Sequence, residues 1–101
     1  MADITPPPGP PSTLIKVEKA TPERLEELGV EGWSPWQCGV ETFDWEYADD
    51  ETAYVKAGRV QVVTGHGQQV EFGAGDIVFF PKGLKCTWKV LEPIRKVYTF
   101  G

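Results

Sequence analysis

Glu51, Cys86 and Lys96 are the side chains best placed in this sequence to do chemistry. Glu51 opens the run Glu51-Thr52-Ala53-Tyr54-Val55-Lys56-Ala57-Gly58. Cys86 follows Gly75-Asp76-Ile77-Val78-Phe79-Phe80-Pro81-Lys82-Gly83. A carboxylate drawn out of water among aromatic rings is suited to general acid or base work. Lys96 shares strand parity with Ile94, Tyr98 and Phe100, which sets its amine on an apolar face. Glu51 and Lys96 thus read as a carboxylate and an amine tuned against each other, or as a structural buried ion pair. Tyr54 and Tyr47 are candidate assistants to them. Trp45, Tyr47, Cys86, Trp88 and Tyr98 are the expected ligand-binding walls, and an aromatic pocket of this kind can stack a planar molecule. Packing alone also accounts for the four tryptophans, Trp33, Trp36, Trp45 and Trp88. Cys86 lies between Leu84, Trp88 and Val90, an apolar setting that keeps a thiol protonated and inert. The one histidine, His66, sits between Gly65 and Gly67 and is expected to be an exposed turn residue.

Short strands must position these groups. Leu84, Cys86, Trp88 and Val90 alternate with Lys85, Thr87 and Lys89, so a strand puts the first set on one face and the cations on the other. Val60 and Val62 alternate with Arg59 and Gln61 in the same way. Turn signals recur at Ala57-Gly58, Gly65-His66-Gly67, Gly73-Ala74-Gly75-Asp76, Pro81-Lys82-Gly83 and Glu92-Pro93. The continuous apolar run Ile77 to Phe80 fits a strand covered on both faces. Short strands at this spacing define an all-β sandwich or barrel. One helix is expected near the start. Thr21-Pro22-Glu23 opens it, Gly29 closes it, and Leu25 and Leu28 form a small buried face that makes it a lid or plug. No glycine-rich segment opens a helix, so no phosphate loop is present.

Composition narrows the function classes. At 101 residues the chain makes one domain, and its net charge of -5 argues against nucleic acid or an anionic membrane as partner. No apolar run reaches the roughly 20 residues a membrane helix requires. Cys38 and Cys86 are too few for a disulfide framework and are expected as free thiols in a cytoplasmic protein. Residues 1–13 are rich in proline, with Pro6, Pro7, Pro8, Pro10 and Pro11, and are expected to form a tail ahead of a single domain over 14–101. The start of the chain has neither the apolar region of a signal peptide nor the arginines of a transit peptide.

The spacing from Glu51 to Gly58, and from Gly75 through Pro81 and Gly83 to Cys86, resembles the two motifs of the cupin superfamily. Within it the chain is similar to short single-domain cupins grouped with the cupin domain of ureidoglycine aminohydrolase. Trp36, Phe43-Asp44-Trp45, Tyr54-Val55 and Trp88-Lys89-Val90 also fit that subgroup, and the likeness covers roughly Lys16 to Phe100. The resemblance implies a small β-barrel of the jelly-roll type and, in the usual pattern, a metal held by histidines and a glutamate. Here Trp45 and Tyr47, or Asp44 and Glu46 at the longer spacing, stand in the first-motif histidine slots, and Cys86 stands in that of the second. Only Glu51 remains of the metal set, so no metal and no cofactor are expected. Burying the aromatic residues is favoured over burying the acids, since each large apolar side chain contributes roughly 1.5–3 kcal/mol. The readings left open are a metal-independent enzyme on a small molecule, a ligand-binding or sensing module, and an assembly module. Exposed strand edges point to a homodimer.

Overall fold

The computed structural model describes residues 14–101, so the expected proline-rich tail lies outside the described residues. The alternation around Trp88 is realised in the longest strand and the residue before it: Leu84, Cys86, Trp88 and Val90 are buried, and Lys85 and Lys89 are exposed. In chain order the elements are β1 (Lys16–Lys19), α1 (Pro22–Leu28), a 3-10 turn (Val30–Gly32), β2 (Ser34–Cys38), β3 (Thr42–Glu46), β4 (Glu51–Thr64), β5 (Gln69–Gly73), β6 (Asp76–Phe80) and β7 (Lys85–Phe100). Every strand pairing is antiparallel. The described chain is thus the expected all-β fold with one short helix.

The frame is the pairing of β4 with β7, which runs from Glu51↔Phe100 to Thr64↔Cys86. The first part of β4 also pairs with β6, and the last part of β7 with β2. The second part of β4 pairs with β5, and the first part of β7 with β3. Each long strand therefore serves two half-sheets. Their inner faces meet through Phe80 of β6, whose ring lies 5.9 Å from Phe72 of β5 and 5.8 Å from Trp88 of β7. This double-layered, bent sheet is the jelly-roll arrangement.

The hinge between the halves corrects two of the expected turns. Ala57-Gly58 and Glu92-Pro93 do not end strands; they lie within β4 and β7, where the register slips between Val55, Ala57, Arg59 and Val60. Gly58 has a φ of 96°, open to glycine at no steric cost, and its carbonyl accepts from the Ala74 N–H at 3.1 Å. Turn residues opposite each other make a run of three register shifts, a bulged segment that bends both strands together.

Helix α1 is capped as its sequence implies. The Thr21 hydroxyl accepts from the Arg24 N–H at 3.1 Å, and Gly29 is left-handed at φ 69°. It is not a plug, because no α1 residue is fully buried. Leu25 and the Val30 turn lie instead on the outside of the first half-sheet, with Tyr54 and Val97. Seven residues have too little apolar face to fill a barrel, and the aromatic side chains already do so.

Candidate functional site

Strand parity decides which residues reach the interior. Glu51, Ala53 and Val55 of β4 are buried on its inner face. Phe43, Trp45 and Tyr47 line a cavity there, whereas Asp44 and Glu46 are exposed, and Asp44 accepts a hydrogen bond from Thr87 at 2.7 Å. All three aromatic side chains reach the cavity, but only Tyr47 is buried; Phe43 is half-buried and Trp45 is exposed at its rim. Trp88 and Lys96 of β7 close the base of the cavity with Glu51, while Trp36 and Tyr98 form its sides. Its volume is about 260 Å³.

The Lys96 ammonium donates to Glu51 Oε2 at 2.6 Å, and the two side chains are 7% and 6% exposed. The pair sits inside an aromatic cage. Lys96 Nζ lies 5.0 Å from the Trp88 ring centroid, 5.1 Å from Trp36, 5.4 Å from Tyr98 and 5.8 Å from Phe80. Ring faces carry negative charge density and attract a cation at these separations. Burial pulls the Lys96 amine below its usual pKa, and Glu51 opposes that shift. Burial also drives the Tyr47 phenol well above its ordinary range, with the Glu51 charge adding to the effect. Tyr47 therefore stays protonated, its ring stacked on Phe80 at 4.7 Å.

Two of the candidate residues lie elsewhere. Tyr54 faces the opposite side of β4, paired with Ile77 and Val97 beneath the α1 segment, so it is a packing residue rather than an assistant to Glu51. One step in parity along a strand reverses the face. Cys86 is buried in the core but is not part of the cavity wall; it borders an open depression with Asp44, Glu46 and Thr87. Its Sγ donates weakly to the Trp45 carbonyl at 3.7 Å, and burial pushes its thiol up to about 11. His66 is exposed in the β4–β5 turn. Trp36, Phe43 and Phe100 are wall residues that sequence reasoning did not assign to the site. Phe43 shares the parity of Trp45 and Tyr47, and Phe100 that of Lys96 and Tyr98, so the signal was present.

A metal does not fit these side chains. Glu51 is engaged by a fixed cation at 2.6 Å, and the neighbouring slots hold Trp45 and Tyr47, which bring no carboxylate, thiolate or imidazole. Among the described residues no three His, Cys, Asp or Glu side chains converge. A transition metal requires such a set.

A bent double sheet with an inner-face cavity at the start of β4 defines a cupin. The chain belongs to the EutQ-like cupin domain family, which matches residues 25–98. It is similar to a DUF861 family protein of Thermotoga maritima, at 50% identity over 87% of this chain and all of that one, with a TM-score of 0.85. It is also similar to the structure of the Clostridium difficile EutQ protein, at 28% identity and a TM-score of 0.60, covering 83% of this chain and 64% of that one. A curated relative, acetate kinase EutQ of Clostridioides difficile strain 630, is 32% identical over 74 residues. Those residues make up 73% of this chain but 46% of that protein, so the chain spans under half the length of that relative. Among the described residues no helix is long and apolar enough to cross a membrane.

Proposed function

We propose that this cupin binds a small molecule in the aromatic cavity and works on it without a metal, with Glu51 and Lys96 as the polar groups. The observation that carries this reading is a buried ion pair forming part of the wall of an open apolar cavity. Removing two charges from water costs several kcal/mol per ion, and apolar residues of similar volume commonly serve stability as well or better. A lysine and a glutamate held here are therefore better explained by use than by stability.

Phosphoryl transfer, which the name of the curated relative suggests for that protein, is less well served by this cavity. The one cation in its wall is already neutralised by Glu51, and the remaining lining is mainly aromatic. Phosphoryl groups call for several cations or converging backbone N–H groups.

A thermal-shift screen of small metabolites against the wild type and Glu51→Gln tests the reading. Stabilisation of the wild type by a ligand, lost in a variant that still folds, is expected. A ligand recovered unchanged favours a binding or sensing module, and one recovered altered favours an enzyme. Equal stabilisation of both proteins would place the ligand away from Glu51 and overturn the site.

A further inference from the structure

Lys96 differs from every other lysine of the chain. Lys16, Lys19, Lys56, Lys82, Lys85 and Lys89 are exposed, whereas Lys96 is buried and lines the cavity, with its Nζ 5.1 and 5.0 Å from the ring centroids of Trp36 and Trp88 in the same wall. Its partner is a carboxylate at hydrogen-bond distance. An amine desolvated in an apolar pocket is the form of lysine that acts as a nucleophile toward carbonyl carbon. Protonated amines do not attack, so such a site also needs a base beside the nitrogen. Glu51 Oε2 is that base, at 2.6 Å.

We propose that Lys96 captures a small aldehyde or ketone as an imine in the aromatic cavity, with Glu51 carrying the protons; this rests on the cavity being a small-molecule site. Glu51 first takes a proton from the Lys96 ammonium. The free amine attacks the carbonyl carbon, a C–N bond forms, and the carbonyl π pair moves to oxygen. Glu51 returns its proton to that oxygen and takes one from the new ammonium centre, leaving a neutral carbinolamine. It then protonates the hydroxyl, which departs as water while the nitrogen lone pair closes the C=N bond. An ammonium and a carbonyl compound have become an iminium ion and water, Glu51 is a carboxylate again, and no oxidant or reductant is consumed.

The cage suits both ends of this sequence. The positive charge begins on the Lys96 nitrogen and returns to it in the iminium, so the same four ring faces and the same carboxylate stabilise reactant and product. Charge that develops as water leaves meets a carboxylate and ring faces already in place. Burial lowers the Lys96 pKa and so raises the fraction of free amine available at neutral pH. The substrate class follows from the walls. A volume of about 260 Å³ is below the roughly 300 Å³ at which pockets for drug-sized ligands begin. Trp36, Phe43, Trp45 and Tyr98 offer flat apolar surface rather than charge. The carbonyl compound is therefore small, uncharged and apolar or planar.

Reductive trapping with butanal and sodium cyanoborohydride at pH 7, read by peptide mapping, tests the proposal on the wild-type protein. The N-butyl adduct is expected at Lys96 at least about tenfold faster than at any exposed lysine, which serves as the internal reference. Glu51→Gln is expected to slow trapping at Lys96 by about 100-fold, the low end for a general acid or base, and to leave the exposed lysines unchanged. Lys96→Arg, which keeps a cation in the cage, is expected to abolish the fast adduct. Thermal shift with 1-butanol, which has the shape of the aldehyde but no carbonyl, reports on the cavity separately. Stabilisation by 1-butanol with Lys96 labelled no faster than the surface would overturn imine capture and leave the cavity reading standing. Absence of both would overturn the two together.

Discussion

Gly58 and Pro93 meet across the bend of the two longest strands so closely that a methyl group on Gly58 would collide with the Pro93 carbonyl oxygen. The same added carbon would lie 2.7 Å from the Ile94 Cα. Lys96 is two residues beyond Ile94, on the same face of β7, so this contact helps to fix where the ammonium enters the cavity. Backbone atoms on both sides leave no flexible side chain to yield.

Gly58→Ala is therefore expected to destabilise the fold by about 2–5 kcal/mol, combining a left-handed φ for alanine with overpacking. Gly75→Ala is the comparison. Gly75 has a similar φ of 92° but nothing within 4 Å of an added carbon, so only the conformational part, about 1–2 kcal/mol, is expected. Urea midpoints of the two variants decide this, and equal losses would remove the Gly58–Pro93 contact as the cause.

The bend also shows what was legible in the sequence. The signals at Ala57-Gly58 and Glu92-Pro93 were real, but a glycine and a proline mark a break in regular geometry without saying whether the chain turns back or a strand kinks. That depends on the two lying opposite each other, which is a long-range fact. Period-two alternation fixed the faces of Leu84 to Val90 and of Lys96 correctly, because burial on one face enforces it. Tyr54 was misplaced although it lies on the same strand as Glu51. An odd separation of three residues puts the two on opposite faces, and its aromatic character outweighed that parity. The Glu51–Lys96 pair was legible as a possibility from parity alone. The four-ring cage was not, since it draws on β2, β6 and β7 at once.

The ion pair itself is expected to contribute little net stability. Glu51→Leu or Lys96→Met alone leaves one charge buried without a partner and is expected to cost about 3–5 kcal/mol. The double variant leaves neither charge and is expected to recover most of that loss. Chemical denaturation of all four proteins closes the cycle. A double variant as unstable as either single would show that the pair stabilises the fold, and losses that simply add would show that the two side chains are not coupled.

Alkaline stability follows from the thiol. In the folded protein Cys86 keeps its proton up to about 11, whereas in the unfolded chain it ionises near its ordinary value of 9.0. Between those values the folded state binds more protons than the unfolded one, so stability falls as pH rises. The folded-state preference for the protonated Tyr47 phenol acts in the same direction above its ordinary value of 10.0. Cys86→Ala is expected to flatten the decline between pH 9 and 11, measured by denaturation at stepped pH. An unchanged slope would remove the thiol as its source.

Trp45 and Trp88 separate binding from folding. Trp88 is 2% exposed and touches Trp36, Phe43, Phe72 and Phe80, so Trp88→Ala is expected to cost about 3–5 kcal/mol. Trp45 is 52% exposed, with its ring against Tyr47 and in the cavity wall. Its side chain completes the cavity without holding the core, so Trp45→Ala is expected to lower stability by less than about 1 kcal/mol. The same variant is expected to weaken 1-butanol binding several-fold by calorimetric titration. Tyr54→Phe, on the far face of β4, is expected to leave that binding unchanged. If Trp45→Ala binds as the wild type does while Tyr54→Phe fails to bind, the ligand occupies the groove beneath α1, and the aromatic cavity is not the site.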